Sequence, residues 1–110
     1  MMKTELEKMR SSELYSFADA EVTASIVRAQ KLCARLRMMS IHDEDYREVM
    51  EELIPGIPKS STICPPFHCD HGTGIILGED VFINYNATML DSAFIRIGKH
   101  TKISPNCQFY

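Results

Sequence analysis

The stretch that decides the fold is IILGEDVFINYNATMLDSAFIRIGKHTKISPNCQFY, residues 75–110. Divided into sixes it reads IILGED, VFINYN and ATMLDS, and after Ala93 and Phe94 it continues as IRIGKH, TKISPN and CQFY. Because alternate side chains of a strand point to the same side, first and third places share one face. These places are mostly apolar, which predicts short strands with one buried face: Ile75, Leu77, Val81, Ile83, Ala87, Met89, Ile95, Ile97, Thr101, Ile103, Cys107 and Phe109.

The remaining places predict the corners between those strands. The fourth place carries glycine twice, at Gly78 and Gly98, and asparagine once, at Asn84, and the fifth and sixth are often turn-forming, as in ED, YN and PN. Glycine and asparagine tolerate the positive φ of sharp corners. A strand and a corner every six residues are typical of a parallel β-helix, in which three strands make one triangular coil. The sequence predicts one coil over residues 75–92 and most of a second over residues 95–110.

An antiparallel β-meander is the alternative arrangement of such short strands. Its hairpins require tight turns that are rich in Asn-Gly or Asp-Gly. Neither dipeptide occurs in the chain. The regular spacing without hairpin turns therefore favours the solenoid.

The first half of the chain has a helical period instead. From Asp19 to Met39, apolar residues recur at steps of three and four, which predicts one amphipathic helix. A basic row on the opposite side is interpreted as a solvated face: Arg28, Lys31 and Arg35. A shorter helix is expected over residues 6–17, and a third follows a capping box at Ser40 and Asp43 and ends at Pro55.

These periods predict an α+β fold in a single domain. It has an N-terminal helical segment at 1–58, an irregular crossing loop at 59–74 and β-helix coils at 75–110.

The formal net charge of -3 gives no electrostatic reason to expect nucleic acid or an anionic membrane as a partner. The N-terminal stretch MMKTELEKMRSSEL lacks the apolar core of a signal peptide. We therefore expect a cytoplasmic protein whose cysteines are reduced: Cys33, Cys64, Cys69 and Cys107.

Four possible metal ligands fall within eight residues of the crossing loop: Cys64, His68, Cys69 and His71. Zinc favours such ligands, but structural sites use spaced pairs with a second pair farther along the chain. Adjacent His68 and Cys69 point apart in an extended segment. The spacing therefore argues against a zinc site, and we predict no metal.

Taken together, the helices, PPFHCDHG (residues 65–72), ILGEDVFINYNATMLD (76–91) and IRIGKHTKISPN (95–106) carry a family resemblance. In this order the chain resembles, over nearly its whole length, the maltose and galactoside O-acetyltransferases of the left-handed β-helix acyltransferase superfamily. The resemblance implies transfer of an acetyl group from acetyl-CoA to a sugar hydroxyl. It also implies homotrimers with active sites between subunits. A histidine acts as general base, and polar donors stabilise the oxyanion.

The resemblance also implies an acceptor site on this chain. Asp70 matches a small polar or acidic family position near the acceptor, Asn84 a family asparagine that contacts it, and Asp91 the acidic step near the base. Phe82 is expected to offer a ring on the pocket wall. The residues alone leave simpler roles open: a corner residue for Asn84, a turn cap for Asp91 and a solvated loop carboxylate for Asp70.

The chain departs from the family pattern at its end. The family histidine follows a few residues after the segment that matches PNCQFY, so we expect the general base and the CoA-binding coils beyond Tyr110. The sequence is thus interpreted as the N-terminal part of a sugar O-acetyltransferase without a catalytic residue of its own. The alternative is a non-catalytic oligomeric β-helix module that keeps the acceptor pocket. Either interpretation predicts a homo-oligomer or an altered packing of the last strand, because an open coil leaves apolar surface uncovered.

Overall fold

The structure, a computed structural model, describes residues 2–110. Three helices come first: α1 (Glu5–Arg10), α2 (Ala20–Leu36) and α3 (Tyr46–Leu53). Eight short strands follow: β1 (Thr62–Ile63), β2 (Phe67–Cys69), β3 (Ile75–Leu77), β4 (Phe82–Ile83), β5 (Ala87–Met89), β6 (Ile95–Ile97), β7 (Lys102–Ile103) and β8 (Gln108–Phe109). None of the helices in this part of the chain is long and apolar enough to cross a membrane.

The strands form three parallel sheets that the chain visits in turn. Their orders are β1-β4-β7, β2-β5-β8 and β3-β6, so consecutive strands always lie in different sheets. Every pairing is parallel, as between β1 and β4 or between β5 and β8. This confirms the predicted α+β fold with short parallel strands and rules out the antiparallel meander.

One turn of the solenoid takes twenty residues, because Thr62 lies opposite Phe82 and Ile75 lies opposite Ile95. Two of the corners keep the six-residue step. The corner after β2, and again after β5, is two residues longer. The interruption at Ala93 and Phe94 is therefore repeated in the turn before it, by Thr73 and Gly74. We call this feature, residues 70–74 and 90–94, the long corner.

The segment 59–74, expected to be an irregular crossing loop, in fact contains the first two strands of the solenoid. β1 pairs with β4, and β2 pairs with β5. The reason is burial: Ile63 and Phe67 are fully buried in the same inward places as Ile83 and Ala87 one turn later. Pro65 and Pro66 lie between β1 and β2, where the sheet requires no backbone N–H donor.

The predicted inward places are confirmed. Seven of them are buried: Ile75, Leu77, Val81, Ile83, Ala87, Met89 and Ile103. Within the three places predicted to form the corners, the positive φ angles fall at the sixth. Asp80, Asn86, His100 and Asn106 have φ of 57°, 63°, 67° and 63°. Asp, Asn and His tolerate this left-handed conformation better than most residues with a side chain.

The helices cover the first turn of the solenoid with one continuous apolar core. Leu36 of α2, Leu53 of α3 and Phe67 of β2 belong to the same buried cluster. The hydroxyl of Tyr46 donates to the carbonyl of Ile63 and accepts from its N–H at 3.1 Å. This pair of bonds ties α3 to β1.

The helix boundaries differ from those predicted at places where polar side chains form local hydrogen bonds in place of helical ones. Asp19 caps α2 by accepting from the N–H groups of the next turn at 3.0 and 3.1 Å, so α2 begins where predicted. Ser40 and Asp43 instead form a turn, and α3 begins later, at Tyr46. The first helix ends at Arg10, which leaves Phe17 71% exposed.

Arg28 corrects the interpretation of the basic row as a solvated face. Its guanidinium donates to the carbonyls of His71 at 3.1 Å and Leu53 at 3.3 Å, and also to that of Glu52. It thereby satisfies carbonyls at the C-terminal end of α3, where a cation is favourable. Arg28 thereby links α2 to the end of α3 and to the start of the long corner.

Gly78 and Gly98 occupy equivalent places in consecutive turns and offer a matched pair of substitutions. A Cβ on Gly78 would lie 2.6 Å from the backbone nitrogen of Lys99, whereas a Cβ on Gly98 would meet nothing within 4 Å. We predict that Gly78→Ala lowers the free energy of unfolding by about 1–3 kcal/mol through overpacking. Gly98→Ala should leave it unchanged or slightly raised. Urea denaturation measures both, and equal effects would contradict the packing described.

Candidate functional site

A cavity of about 410 Å³ opens at the long corner. It is lined by Asp70, Leu90, Ser92, Ala93, Phe94, Ile95 and Tyr110. Its volume lies within the usual range for small-molecule sites. Both residues that interrupt the six-residue repeat belong to the lining, so the extra length of this corner creates the concavity.

Asp70 is the acidic group of this cavity. It follows directly after β2, at the start of the long corner. Burial raises the pKa of the Asp70 carboxyl; His71 and a hydrogen bond with Ser92 lower it, and the nearby Asp91 raises it further. A partly desolvated carboxyl of this kind offers strong hydrogen bonds to hydroxyl groups.

Asp91 is fully buried, with 0% exposure. One carboxylate oxygen accepts from the N–H of His71 at 2.9 Å, and the other accepts from the N–H of Gly74 at 2.9 Å. The carboxylate therefore belongs to the second turn but binds the backbone of the first. It holds the two layers of the long corner together and acts on the cavity by positioning its wall.

Arg10 reaches this corner from the end of α1. Its guanidinium donates to Thr73 Oγ1 at 2.6 Å, to the carbonyl of Ser92 at 3.2 Å and to the carbonyl of Asp91. It lies 3.8 Å from a carboxylate oxygen of Asp91 and 5.3 Å from the centre of the Phe94 ring. Burial lowers the pKa of Arg10 and Asp91 raises it, yet a guanidinium stays protonated in proteins. Its positive charge therefore balances the buried carboxylate.

The glycines of HGTG permit this close packing. Gly72 has a φ of 80°, and a Cβ there would lie 2.3 Å from the carbonyl oxygen of Leu53. A Cβ on Gly74 would lie 2.9 Å from the carbonyl oxygen of Asp91 and would displace Arg10. The long corner thus depends on glycine at both places, one for conformation and one for space.

The structure does not bring the four predicted acceptor residues together within one chain. Phe82 lies half-buried on β4, in a different sheet from the strands that flank the long corner. Asn84 follows that strand, and its side-chain oxygen accepts from the N–H of Tyr85 at 2.8 Å, as a corner residue does. Asp70 and Asp91 lie at the long corner. The predicted residues are therefore divided between the long corner and the β4 strand with the corner that follows it.

His71, next to Asp70, is buried. Its Nδ1 lies 2.7 Å from Ser25 Oγ. Burial lowers the pKa of His71 and Arg10 adds to this, whereas Asp91 and Asp70 oppose it. The ring packs between α2 and the long corner and does not line the cavity. His71 therefore contributes structure to the site.

The possible zinc quartet of the crossing segment is spread apart. His68 is exposed on β2, while its neighbour Cys69 is partly buried on the other face of the strand. Among the residues that the structure describes, no three metal-binding side chains converge.

A larger groove of about 840 Å³ runs along α2. Its lining includes the predicted basic row, Arg28, Lys31 and Arg35. Arg28 is already bonded to three carbonyls, and Arg35 lies 3.9 Å from Glu52. The cations of the groove are thus largely engaged, so the long-corner cavity is the better candidate site.

Sequence reasoning missed Arg10 and the cavity wall at Phe94. Arg10 looks like an ordinary charged residue at a helix end, and its partners are more than sixty residues away along the chain. The signal that was available is the two-residue interruption itself. An insertion in a regular solenoid indicates the corner at which the surface becomes concave.

Replacement of Asp91 tests its role in holding the long corner. In Asp91→Asn, the side-chain NH2 group is a donor and faces a backbone N–H group, which is also a donor. Arg10 in addition loses its buried counter-charge. We predict a loss of roughly 3–5 kcal/mol in the free energy of unfolding. The matched control is Asp80→Asn, because Asp80 is exposed and its carboxylate contacts the exposed side chains of His100 and Lys102. Equal shifts of the urea midpoint in the two variants would contradict the role assigned to Asp91.

Comparison with known proteins places this geometry among acetyltransferases, although no protein-family model matches the chain. Nodulation protein L of Rhizobium meliloti (strain 1021) is 33% identical over 111 residues, which cover 100% of this chain and 61% of the relative. The structure is similar to a hexapeptide-repeat acetyltransferase of Vibrio cholerae complexed with acetyl coenzyme A, with 36% identity and a TM-score of 0.82. That match covers 98% of this chain and 58% of the other.

A maltose O-acetyltransferase of Clostridium difficile 630 is similar in structure, with a TM-score of 0.89 and 29% identity. The match again covers 98% of this chain and 58% of the other. The chain thus spans less than two thirds of the length of each of these relatives. By sequence and by fold, the chain is similar over nearly its whole length to hexapeptide-repeat acetyltransferases, among them a maltose O-acetyltransferase and a galactoside O-acetyltransferase.

Proposed function

We propose that this chain supplies the acceptor pocket of an acetyl-CoA-dependent O-acetyltransferase that modifies a sugar hydroxyl. The family relationship supports the reaction class. The observation that carries the proposal is the long-corner cavity with Asp70 in its wall. In this proposal the solenoid is a left-handed β-helix, as the family resemblance implies.

The cavity suits a neutral polyol. Asp70 accepts hydrogen bonds from hydroxyl groups, and a charge-assisted bond of this kind is stronger than a neutral one. Phe94 and Tyr110 present aromatic rings, and Leu90 and Ala93 add apolar wall. A sugar offers both hydroxyl groups and apolar C–H faces, so it can use both kinds of surface.

Acetyl-CoA fits the same cavity poorly. Its phosphates require cations, and no lysine or arginine belongs to the lining, which carries the acidic Asp70. We therefore assign the cavity to the acceptor alone, and acetyl-CoA is the co-substrate that supplies the acetyl group. The part of the reaction that belongs to this chain is to bind and orient the hydroxyl that becomes acetylated.

The proposal includes a homo-oligomer, a trimer by family resemblance, that works in the cytoplasm. Asp70 and Asn84 lie at different corners of one chain, so a pocket that uses both needs a second copy. In such an assembly, Asn84 and Phe82 of one copy face the long corner of its neighbour. Asp91 then acts by holding that corner in shape.

A non-catalytic sugar-binding module is the second candidate. Among residues 2–110, none of the four histidines lines the long-corner cavity. General-base catalysis needs such a group within hydrogen-bond reach of the reacting hydroxyl. This module shares the acceptor pocket with the enzyme and differs only in lacking turnover.

Sugar binding tests the pocket that both candidates share. We predict saturable binding of maltose or a galactoside to the purified chain, measured by titration calorimetry. Asp70→Asn should weaken it at least tenfold, because a carboxylate hydrogen bond to a hydroxyl is lost. The matched control is Asp45→Asn, an exposed carboxylate without a side-chain capping bond. Absence of binding across a sugar panel, or equal losses in both variants, would contradict the proposal.

Release of free CoA separates the two candidates. Sugar-dependent release from acetyl-CoA that disappears in Asp70→Asn supports the enzyme and excludes the non-catalytic module. Binding without release supports the module instead.

A further inference from the structure

Two cysteines far apart in the sequence meet where α2 packs on the solenoid. Cys33 of α2 and Cys69 of β2 have their Sγ atoms 3.8 Å apart, although thirty-six positions separate them. Both thiols are free. Cys33 is buried with 7% exposure, while Cys69 is partly exposed as a residue.

The two thiols are chemically unequal. A hydrogen bond from the Cys69 thiol lowers the pKa of Cys33 to about 7, and the Cys69 backbone N–H and Arg37 act in the same direction against the effect of burial. The same contact with Cys33, together with burial, raises the pKa of Cys69. One sulfur is thus favoured as thiolate while its neighbour keeps the proton. A thiolate beside a second thiol is the arrangement found in redox-active cysteine pairs.

We propose that Cys33 and Cys69 are a redox modification site, which a peroxide converts into a reversible intramolecular disulfide. In the first step the Cys33 thiolate attacks one oxygen of hydrogen peroxide, the O–O bond breaks, and Cys33 sulfenic acid and hydroxide form. In the second step the Cys69 sulfur attacks the sulfenic sulfur, the S–O bond breaks, and the proton of Cys69 leaves with that oxygen as water. Two electrons pass from the thiols to the peroxide, and a dithiol reverses the change by thiol–disulfide exchange.

The two sulfur atoms are close enough for this bond to require only a short approach. A disulfide has its sulfurs about 2 Å apart, so they must approach by a little under 2 Å from their present separation. The bond would join α2 to β2 directly before Asp70, at the entrance to the long corner. It would therefore restrain the segment that carries the acidic group of the cavity.

The other two cysteines serve as internal controls. Cys64 is buried, and burial raises the pKa of its thiol. Cys107 lies at an inward place of the last strand-forming six. Neither has the pairing that joins Cys33 to Cys69, so an oxidation that merely follows general thiol reactivity would not select the predicted pair.

The experiment treats the reduced chain with stoichiometric hydrogen peroxide and maps its thiols by alkylation and mass spectrometry. Trypsin releases Cys33 in the peptide 32–35, and chymotrypsin cuts after Phe67 and so separates Cys64 from Cys69. We expect loss of two hydrogens from a monomeric chain, a peptide pair linked through Cys33 and Cys69, and full reversal by dithiothreitol. The melting temperature of the oxidised chain should rise by on the order of 10 °C, because the bond closes a long loop.

Variants make the assignment specific. Cys33→Ser and Cys69→Ser should each abolish the intramolecular disulfide. Cys64→Ser and Cys107→Ser should leave its rate of formation within about twofold of the wild-type rate. If one variant fails to fold, the peptide map of the wild-type chain still decides. Linkage through Cys64 or Cys107, intermolecular disulfides, irreversible sulfinic acid or four unreacted thiols would each overturn the proposal. None of these outcomes depends on sugar binding or on acetyl transfer.

Discussion

The buried carboxylate of Asp91 is the constraint on which the rest of the structure depends. A parallel solenoid is built from short strands, and each turn is held to the next by only a few ladder bonds. At the long corner the chain leaves the repeat, and a backbone bond from the Ile95 N–H to the Gly74 carbonyl at 2.8 Å joins the layers at the end of that corner. Asp91 adds to this bond by accepting from two backbone N–H groups of the previous turn.

Such a buried charge requires compensation, and α1 provides it. Arg10 crosses from the helical segment to the carboxylate and to the carbonyls beside it. The same guanidinium lies against the Phe94 ring, which forms part of the cavity wall. Helices, corner and cavity are thus one connected unit. The helical segment and the solenoid also share one buried apolar cluster.

The six-residue pattern was sufficient to predict the fold class, the parallel strands and the inward side chains, because burial repeats with the backbone. It was not sufficient for the corners: the positive φ angles fall at the sixth place, where Asn106 and His100 lie, while Gly78 is required by the nearness of Lys99. β1 and β2 were missed because Ile63 and Phe67 belong to a segment in which two prolines obscure the period.

The candidate site was predictable only in part. Asp70 was proposed from the family resemblance, and the structure places it in the wall of a cavity, where its acceptor role remains a proposal. The role of Arg10 could not be predicted from the sequence, because it arises from contacts between distant segments. Local patterns report local periodicity, whereas a site assembled from a helix end and two turns of a solenoid depends on how those parts pack.

The most direct test of the central claim, that the long corner is the acceptor pocket, is chemical-shift mapping of the backbone amides during titration with maltose. We predict that the largest shifts fall on Asp70, Ser92, Ala93 and Phe94 and saturate together. Shifts confined to the groove along α2, or none at saturating sugar, would contradict it.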